Sequence, residues 1–443
     1  MGHGKSKVLL LLLMTVMVFG SMIVSNPAYT EENVDIGAIL KTLGDLQTTI
    51  EKQNAEIERL KNALHELSER QDRAKEEQQN LIQANVRKEV EEQVKPLEWA
   101  KRLSLSGDMR LRYEGRYNRK DNSGQDVEDR NRFRVRLRLY GDAKISDELA
   151  AHYMLSTSDN QFGQTSNQTL DDEFDNKAIF IARAYGDYRP KWLPGLEVGF
   201  GKFKNPYLHS TISFDPDVNP EGFYELYQYK GWETVQPFVK LGQIMISEND
   251  LTKDASLFLW QGGVGVNFKP VQFTFGGSYY DYTNLERSRL GESKRAFGNT
   301  TTTDPETGGP ILAYDFRIAE AIGFADFKLL DYPVTLWADY LKNTADEVPE
   351  DTDSAWGAGL TFGKAKQKGE WSFEYSYRYI QANAVLGLFS DGDFLGTDKE
   401  THWWRFTYRL FKPFSVQAAF FDTDSIDGEV RENRFQLSTF YYF

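Results

Sequence analysis

Between positions 131 and 140 arginine recurs at every second residue, as Arg132, Arg134, Arg136 and Arg138, with Phe133, Val135, Leu137 and Leu139 between them. Side chains of a β-strand alternate between its two faces. The spacing therefore puts four guanidinium groups on one face and four apolar groups on the other. The run before it repeats the pattern: Leu103, Leu105, Met109, Leu111, Tyr113 and Tyr117 alternate with Asp108, Arg110, Arg112, Glu114 and Arg116. Paired side by side, the two strands gather seven arginines on one sector of wall. On the lipid face of a membrane barrel each arginine would cost ~2–4 kcal/mol at the midplane, so this sector must meet water. The chemistry on offer is electrostatic: a basic ladder sets a field and attracts anions. Asp108 and Glu114 share that face, so a self-neutralising polar wall is the alternative reading.

Covalent chemistry finds no comparable arrangement. Of the five histidines (His3, His65, His152, His209, His402), His209 sits beside Ser210 in the third loop, and adjacency in sequence does not make a triad. The acidic groups Asp171–Asp172–Glu173, Asp391/Asp393 and Asp422/Asp424/Asp427 lack calcium-loop spacing and are expected to be solvated. The chain has no cysteine, hence no disulfide or thiolate site. No phosphate-cradling glycine motif occurs. We expect no enzyme, no catalytic residue, no metal and no cofactor. A net charge of −14 argues against a nucleic-acid partner.

The elements that must position the arginines are short strands. About sixteen run from Leu103 to the terminal Phe443, and their connections are alternately short and long. Short ones fall at 141–147, 189–195, 230–233, 269–270, 330–333, 364–369 and 411–413. Long, polar ones fall at 118–130, 158–175, 205–220, 247–255, 284–312, 343–354, 384–401 and 422–431, with the Thr-rich 300–303 inside a long mobile loop. That sorting is the mark of an all-β transmembrane antiparallel barrel, residues 100–443, whose long loops face one side. Around 313–328 the two faces do not separate, which leaves fourteen or eighteen strands open. A barrel this wide encloses an aqueous channel rather than a packed interior.

The third long connection, 205–220, is less hydrophilic than its neighbours and carries Tyr207, Leu208, Ile212 and Phe214. Such a loop prefers to lie against a wall. Folded inward, it would set Asp215, Asp217 and Glu221 across from the arginines as a constriction. The alternative is an ordinary external loop whose prolines fix turns.

Ahead of the barrel, Lys5 and Lys7 precede an apolar run from Val8 to Val24, which reads as a signal peptide over 1–28. Residues 29–99 read as a coiled-coil stalk, with Ile36, Ile39, Leu43, Leu46, Ile50, Ile57, Leu60, Leu64 and Leu67 alternately three and four apart. Pro96 stops that helix. The stalk either binds peptidoglycan in the periplasm or only joins copies of the chain.

Three features resemble the bacterial outer-membrane porins, in particular the family described as putative porins. They are the signal followed by a helical stalk, the segment Gly199-Phe-Gly-Lys-Phe-Lys-Asn-Pro206 entering the third long connection, and the terminal Phe440-Tyr-Tyr-Phe443. The resemblance implies an outer-membrane location, contact with its lipid, a homotrimer and an inward-folded third loop. It also implies that barrel-assembly machinery reads Phe443. The expected function is passive diffusion of small hydrophilic solutes with a preference for anions. The alternatives are a phosphate- or oxyanion-selective channel, and a structural tether between outer membrane and peptidoglycan.

Overall fold

The structure is a computed structural model describing residues 36–94, 101–120, 124–159, 163–250, 253–428 and 430–443. The chain divides into two units, Met1–Lys95 and Pro96–Phe443. The expected signal segment and Pro96 lie outside the described residues.

In the first unit a single helix, α1, runs over Ile36–Val94, 59 residues, or roughly 90 Å at 1.5 Å per residue. Its heptad seam is bare: Leu46, Ile50, Ile57, Leu60, Leu64 and Leu67 are all exposed, Leu64 by 68%. Among the described residues no helix is long and apolar enough to cross a membrane.

The second unit is built from sixteen long strands. In chain order they are β1 Leu103–Tyr117, β2 Arg130–Lys144, β3 Leu149–Thr157, β4 Ile179–Tyr188, β5 Leu196–Lys202 and β6 Glu221–Gln228. There follow β7 Val235–Ser247, β8 Ala255–Phe268, β9 Val271–Thr283, β10 Arg317–Leu329 and β11 Tyr332–Asn343. The last five are β12 Ser354–Gly363, β13 Trp371–Ile380, β14 Lys399–Phe411, β15 Phe414–Ser425 and β16 Arg431–Tyr442. Each pairs antiparallel with its neighbour, and β16 pairs back onto β1, so the sheet closes. The six longest connections, after β1, β3, β5, β9, β11 and β13, all fall on odd-numbered steps, as the loop lengths predict, whereas those after β7 and β15 are no longer than the short set.

The β1–β16 ladder closes the sheet, from Tyr117 opposite Asn433 to Asp108 opposite Tyr442, and Phe443 extends it by one position. Phe443 exchanges two backbone hydrogen bonds with Gly107, at 2.7 and 3.0 Å. Any side chain at Gly107 would collide there: a Cβ would stand 2.4 Å from the Phe443 ring and 2.9 Å from the Arg138 carbonyl.

The two faces separate as the alternation requires. Leu105 and Phe133 are 71% and 63% exposed on the outside, whereas Arg112 and Arg134 are buried towards the lumen. The segment whose faces could not be told apart is strand β10. Its lumenal face carries Ile318 and Ile322 beside Glu320, all buried. Leu257 and Leu259 of β8 are buried on the lumenal side as well. These strands are apolar on both faces because something other than water covers them from within.

Substituting Gly107→Val, or deleting Phe443, should weaken closure. On a gel run without heating, each variant should show less of the compact, heat-modifiable band. A band of undiminished intensity would mean that the terminal pairing is dispensable.

Candidate functional site in the barrel lumen

Three long connections fold into the bore: 203–220, 284–316 and 381–398. They share one apolar core. Phe203, Tyr207, Ile212 and Phe214 come from the first, Leu285, Leu290, Leu312 and Phe316 from the second, and Ala384, Val385, Leu386 and Leu388 from the third. The core sits on Leu257, Leu259, Tyr280, Ile318 and Leu341 of the wall. Each fully buried Leu, Ile or Phe contributes about 1.5–3 kcal/mol, enough in sum to hold three loops against water.

Polar clamps set their positions. Gln261 of β8 accepts from the Leu208 amide at 2.8 Å and donates to the Leu208 carbonyl at 2.7 Å. The Tyr207 hydroxyl donates to the Leu241 carbonyl, and Lys240 to the Pro206 carbonyl. The Asp215 amide donates to the Phe389 carbonyl, and the Asp391 amide to the Thr211 carbonyl, tying the first loop to the third. Asn299 of the second loop donates to the carbonyls of Ala382 and Val385, both at 2.7 Å.

What remains open is a cavity of about 840 Å³. Ten arginines line it: the seven of β1 and β2, joined by Arg378 of β13, Arg405 of β14 and Arg434 of β16. Five carboxyl side chains face them, Asp215, Asp217, Glu374, Asp391 and Asp393.

The arginines are interleaved with acids. Asp108 bridges Arg136 and Arg138 at 2.6 and 2.9 Å, and also accepts from the Tyr140 hydroxyl. Glu114 holds Arg132 at 2.5 Å and Arg134 at 3.7 Å, and Asp159 holds Arg134 at 2.8 Å. Glu432 pairs with Arg116 and Arg434. From the loops, Asp393 reaches Arg112 and Arg434 at 3.4 and 3.0 Å, and Asp217 reaches Arg138 at 3.4 Å. Arg110 is held instead by the neutral Asn167 amide oxygen, at 2.6 Å. Removing one partner of such a buried pair typically costs ~3–5 kcal/mol, because the other charge is stranded. Wall and loops therefore hold each other in place.

The four loop carboxyls separate into two kinds. Burial raises Asp393, but Arg112, Arg434 and Arg134 outweigh it and hold the carboxyl below the ordinary range. Burial likewise acts on Asp217, and Arg136, Arg138 and Arg110 again leave it lowered. Asp215 is raised well above its usual value by burial, then by Asp391 and Asp217 beside it. Asp391 is pushed up to about 6 by burial and then by Asp393, with Arg378 opposing.

The structure thus places all seven sequence-singled arginines, with Asp215 and Asp217, on one cavity. It does not bring Glu221 there. Glu221 opens β6, one residue past the loop, and its period-two position puts it with Phe223 on the barrel exterior, where it pairs with Lys202 at 2.5 Å. Two further expectations need correcting. Asp391 and Asp393 are not solvated loop charges but line the lumen. The segment around 300–303 is a short hairpin, Thr301–Thr303 against Pro310–Leu312, rather than a structureless loop. His209 lines the cavity with a ring nitrogen 3.0 Å from the Ser210 carbonyl, not the hydroxyl, so no nucleophile–base pair forms.

Residues 124–310 match the family described as "Putative porin". Among solved structures the chain is similar to OprB of Pseudomonas putida at high pH, with a TM-score of 0.51, 11% identity, and 78% of this chain and 95% of that one covered. It also aligns with the outer membrane channel DcaP of Acinetobacter baumannii (TM-score 0.46, 16% identity, 77% and 97% covered). A third is a trimer form of OmpT from Vibrio cholerae (TM-score 0.45, 14% identity, 77% and 99% covered). No curated protein matches the chain. The family match covers less than half of the chain, and the likeness to OprB is one of fold.

The raised Asp391 gives the lumen a titration step. Its proton is bound more tightly in the docked loop than in a free chain, so this contribution to docking is complete below about pH 4. It is lost as the pH rises through about 6. Below that value a negative charge facing Arg378, Asp393, Asp217 and Asp215 disappears. In bilayer recordings the chloride-to-potassium permeability ratio should therefore rise between pH 7 and pH 5, and Asp391→Asn should abolish the step. A step of equal size in that variant would assign it to another group.

Proposed function

Taking the putative-porin sequence match and the porin fold as the premise, we propose that the chain forms a water-filled outer-membrane channel for small hydrophilic solutes, with a preference for anions. The observation that carries this reading is the make-up of the cavity surface: ten guanidinium groups against five carboxyls, two of the latter raised towards their neutral form. A chain of net charge −14 that concentrates arginine in its bore uses it to bias permeation, not to raise overall charge. The pore-lining role falls to Arg110, Arg112, Arg116, Arg132, Arg134, Arg136 and Arg138, and the facing edge to Asp215, Asp217, Asp391 and Asp393. Oxyanions such as phosphate are favoured solutes on the same ground.

We further propose that copies of the chain assemble, as a trimer, through the wall of β5 and β6. These strands have only seven and eight residues. Tilted as in other barrels, seven residues give roughly 18 Å of height against an apolar band about 25 Å tall. The exterior here carries the stacked Phe200–Phe223 pair, 4.4 Å between ring centres, below the Lys202–Glu221 ion pair. A second copy covers such a stretch better than lipid. The bare seam of α1 calls for partner helices as well, which supports the stalk reading of that region. Peptidoglycan at the stalk and assembly machinery at Phe443 complete the expected partners.

Planar-bilayer recordings of purified protein should show unit currents. Arg134→Ala combined with Arg136→Ala leaves Glu114, Asp108 and Asp159 with one fewer cation each, so the reversal potential under a salt gradient should move towards cations. An unchanged potential would remove these arginines from the conduction path. In mild detergent the mass of the wild type should be that of three chains, and Phe200→Arg should reduce it. A wild-type mass of one chain would refute the assembly.

A further inference from the structure

Resting on the channel reading above, we propose that the bore contains a binding recess for small planar aromatic carboxylates, built around Arg378. This side chain differs from every arginine of the β1–β2 ladder. It is only 3% exposed, and two of its nitrogens, Nε and Nη1, are buried without a hydrogen-bond acceptor. It forms no ion pair among the described residues. Instead it is surrounded by rings: its guanidinium carbon lies 3.4 Å from the centre of Phe394, 5.6 Å from Trp403 and 6.0 Å from Trp337. Arg405 stands next to it over the same Trp403 ring, but its donors are already engaged by Glu374.

A buried cation with idle donors is costly, and among the described residues only Asp391 acts in favour of its charge, without an ion pair to it. What would answer it is an anionic acceptor: Nε and Nη1 lie on different edges of the guanidinium, and a carboxylate takes either one of them side by side with Nη2. The rings select the body of the ligand. Trp337, Trp403 and Phe394 all line the open cavity, so a molecule seated at Arg378 lies against flat apolar faces. Phe394 already occupies a face of the guanidinium. It is carried by the loop 381–398 rather than by the wall. An aromatic anion replaces that ring contact in kind while bringing the acceptors that Phe394 lacks. Acetate would supply acceptors without a ring, and phosphate is better served by the ladder, where rings are few.

The test uses the full-length protein in bilayers, with potassium chloride carrying the current and benzoate, acetate or inorganic phosphate added as blocker. Benzoate should block saturably, at a concentration about tenfold below that of acetate, the size of one aromatic ring contact. Arg378→Gln should raise the half-blocking benzoate concentration about tenfold while leaving phosphate block unchanged. Arg378→Lys, which keeps the charge and loses the fork, should behave like the glutamine variant. Tryptophan fluorescence in detergent should report benzoate through Trp403 and Trp337, and lose the response in Arg378→Gln. Equal block by benzoate and acetate, or block unaltered in Arg378→Gln, would overturn the recess. Absence of any current in chloride would instead refute the channel, and the fluorescence titration would still decide the recess.

Discussion

A residue in a strand of a closed barrel faces either outward or into the bore, and the rest of this molecule follows from that constraint. Apolar side chains at alternate positions cover the exterior of β1 and β2 and deliver every intervening arginine to one lumen. Closing the sheet between β16 and β1 makes that space a tube and brings Arg434 beside Arg112 and Arg116. The crowding is tolerable because acids from the same strands lie between the arginines and acids from two loops lie across from them.

The loops are more than plugs. Their shared core of Phe214, Leu285, Leu386 and their neighbours replaces water on the lumenal face of β8 to β11, while their carboxyls reach the opposite, basic wall. The inward-folded loops are therefore apolar and anchored on one side and charged on the other. Asp217 and Asp393, lowered by arginines, fasten the loops, whereas Asp215 is raised by burial and then by Asp391, and Asp391 by burial and then by Asp393.

Much of this was legible in the residues. The period-two arginines of β1 and β2 gave strand and face at once, and the loop-length rhythm gave about sixteen strands while leaving fourteen or eighteen open. The inward third loop could be read from Tyr207, Ile212 and Phe214, since apolar residues in a connection need a surface. The entry of loop 381–398 was missed because its acids drew attention, although Val385, Leu386 and Leu388 carried the same apolar signal as the third loop. The muddled faces of β10 were themselves a clue: Ile318 and Ile322 face inward because a loop lies on them. Glu221 was misassigned by a single residue, since crossing from loop to strand reverses which side a side chain faces. Arg378 offered no local sign, because its solitude depends on acids that β12 and β14 do not place beside it.

The central claim, a wet bore whose surface favours guanidinium over carboxylate, is tested most directly by the zero-current potential of single wild-type channels under a potassium chloride gradient. The account predicts open unit currents with a potential on the chloride side. A potential on the potassium side, or an inert barrel, would contradict it.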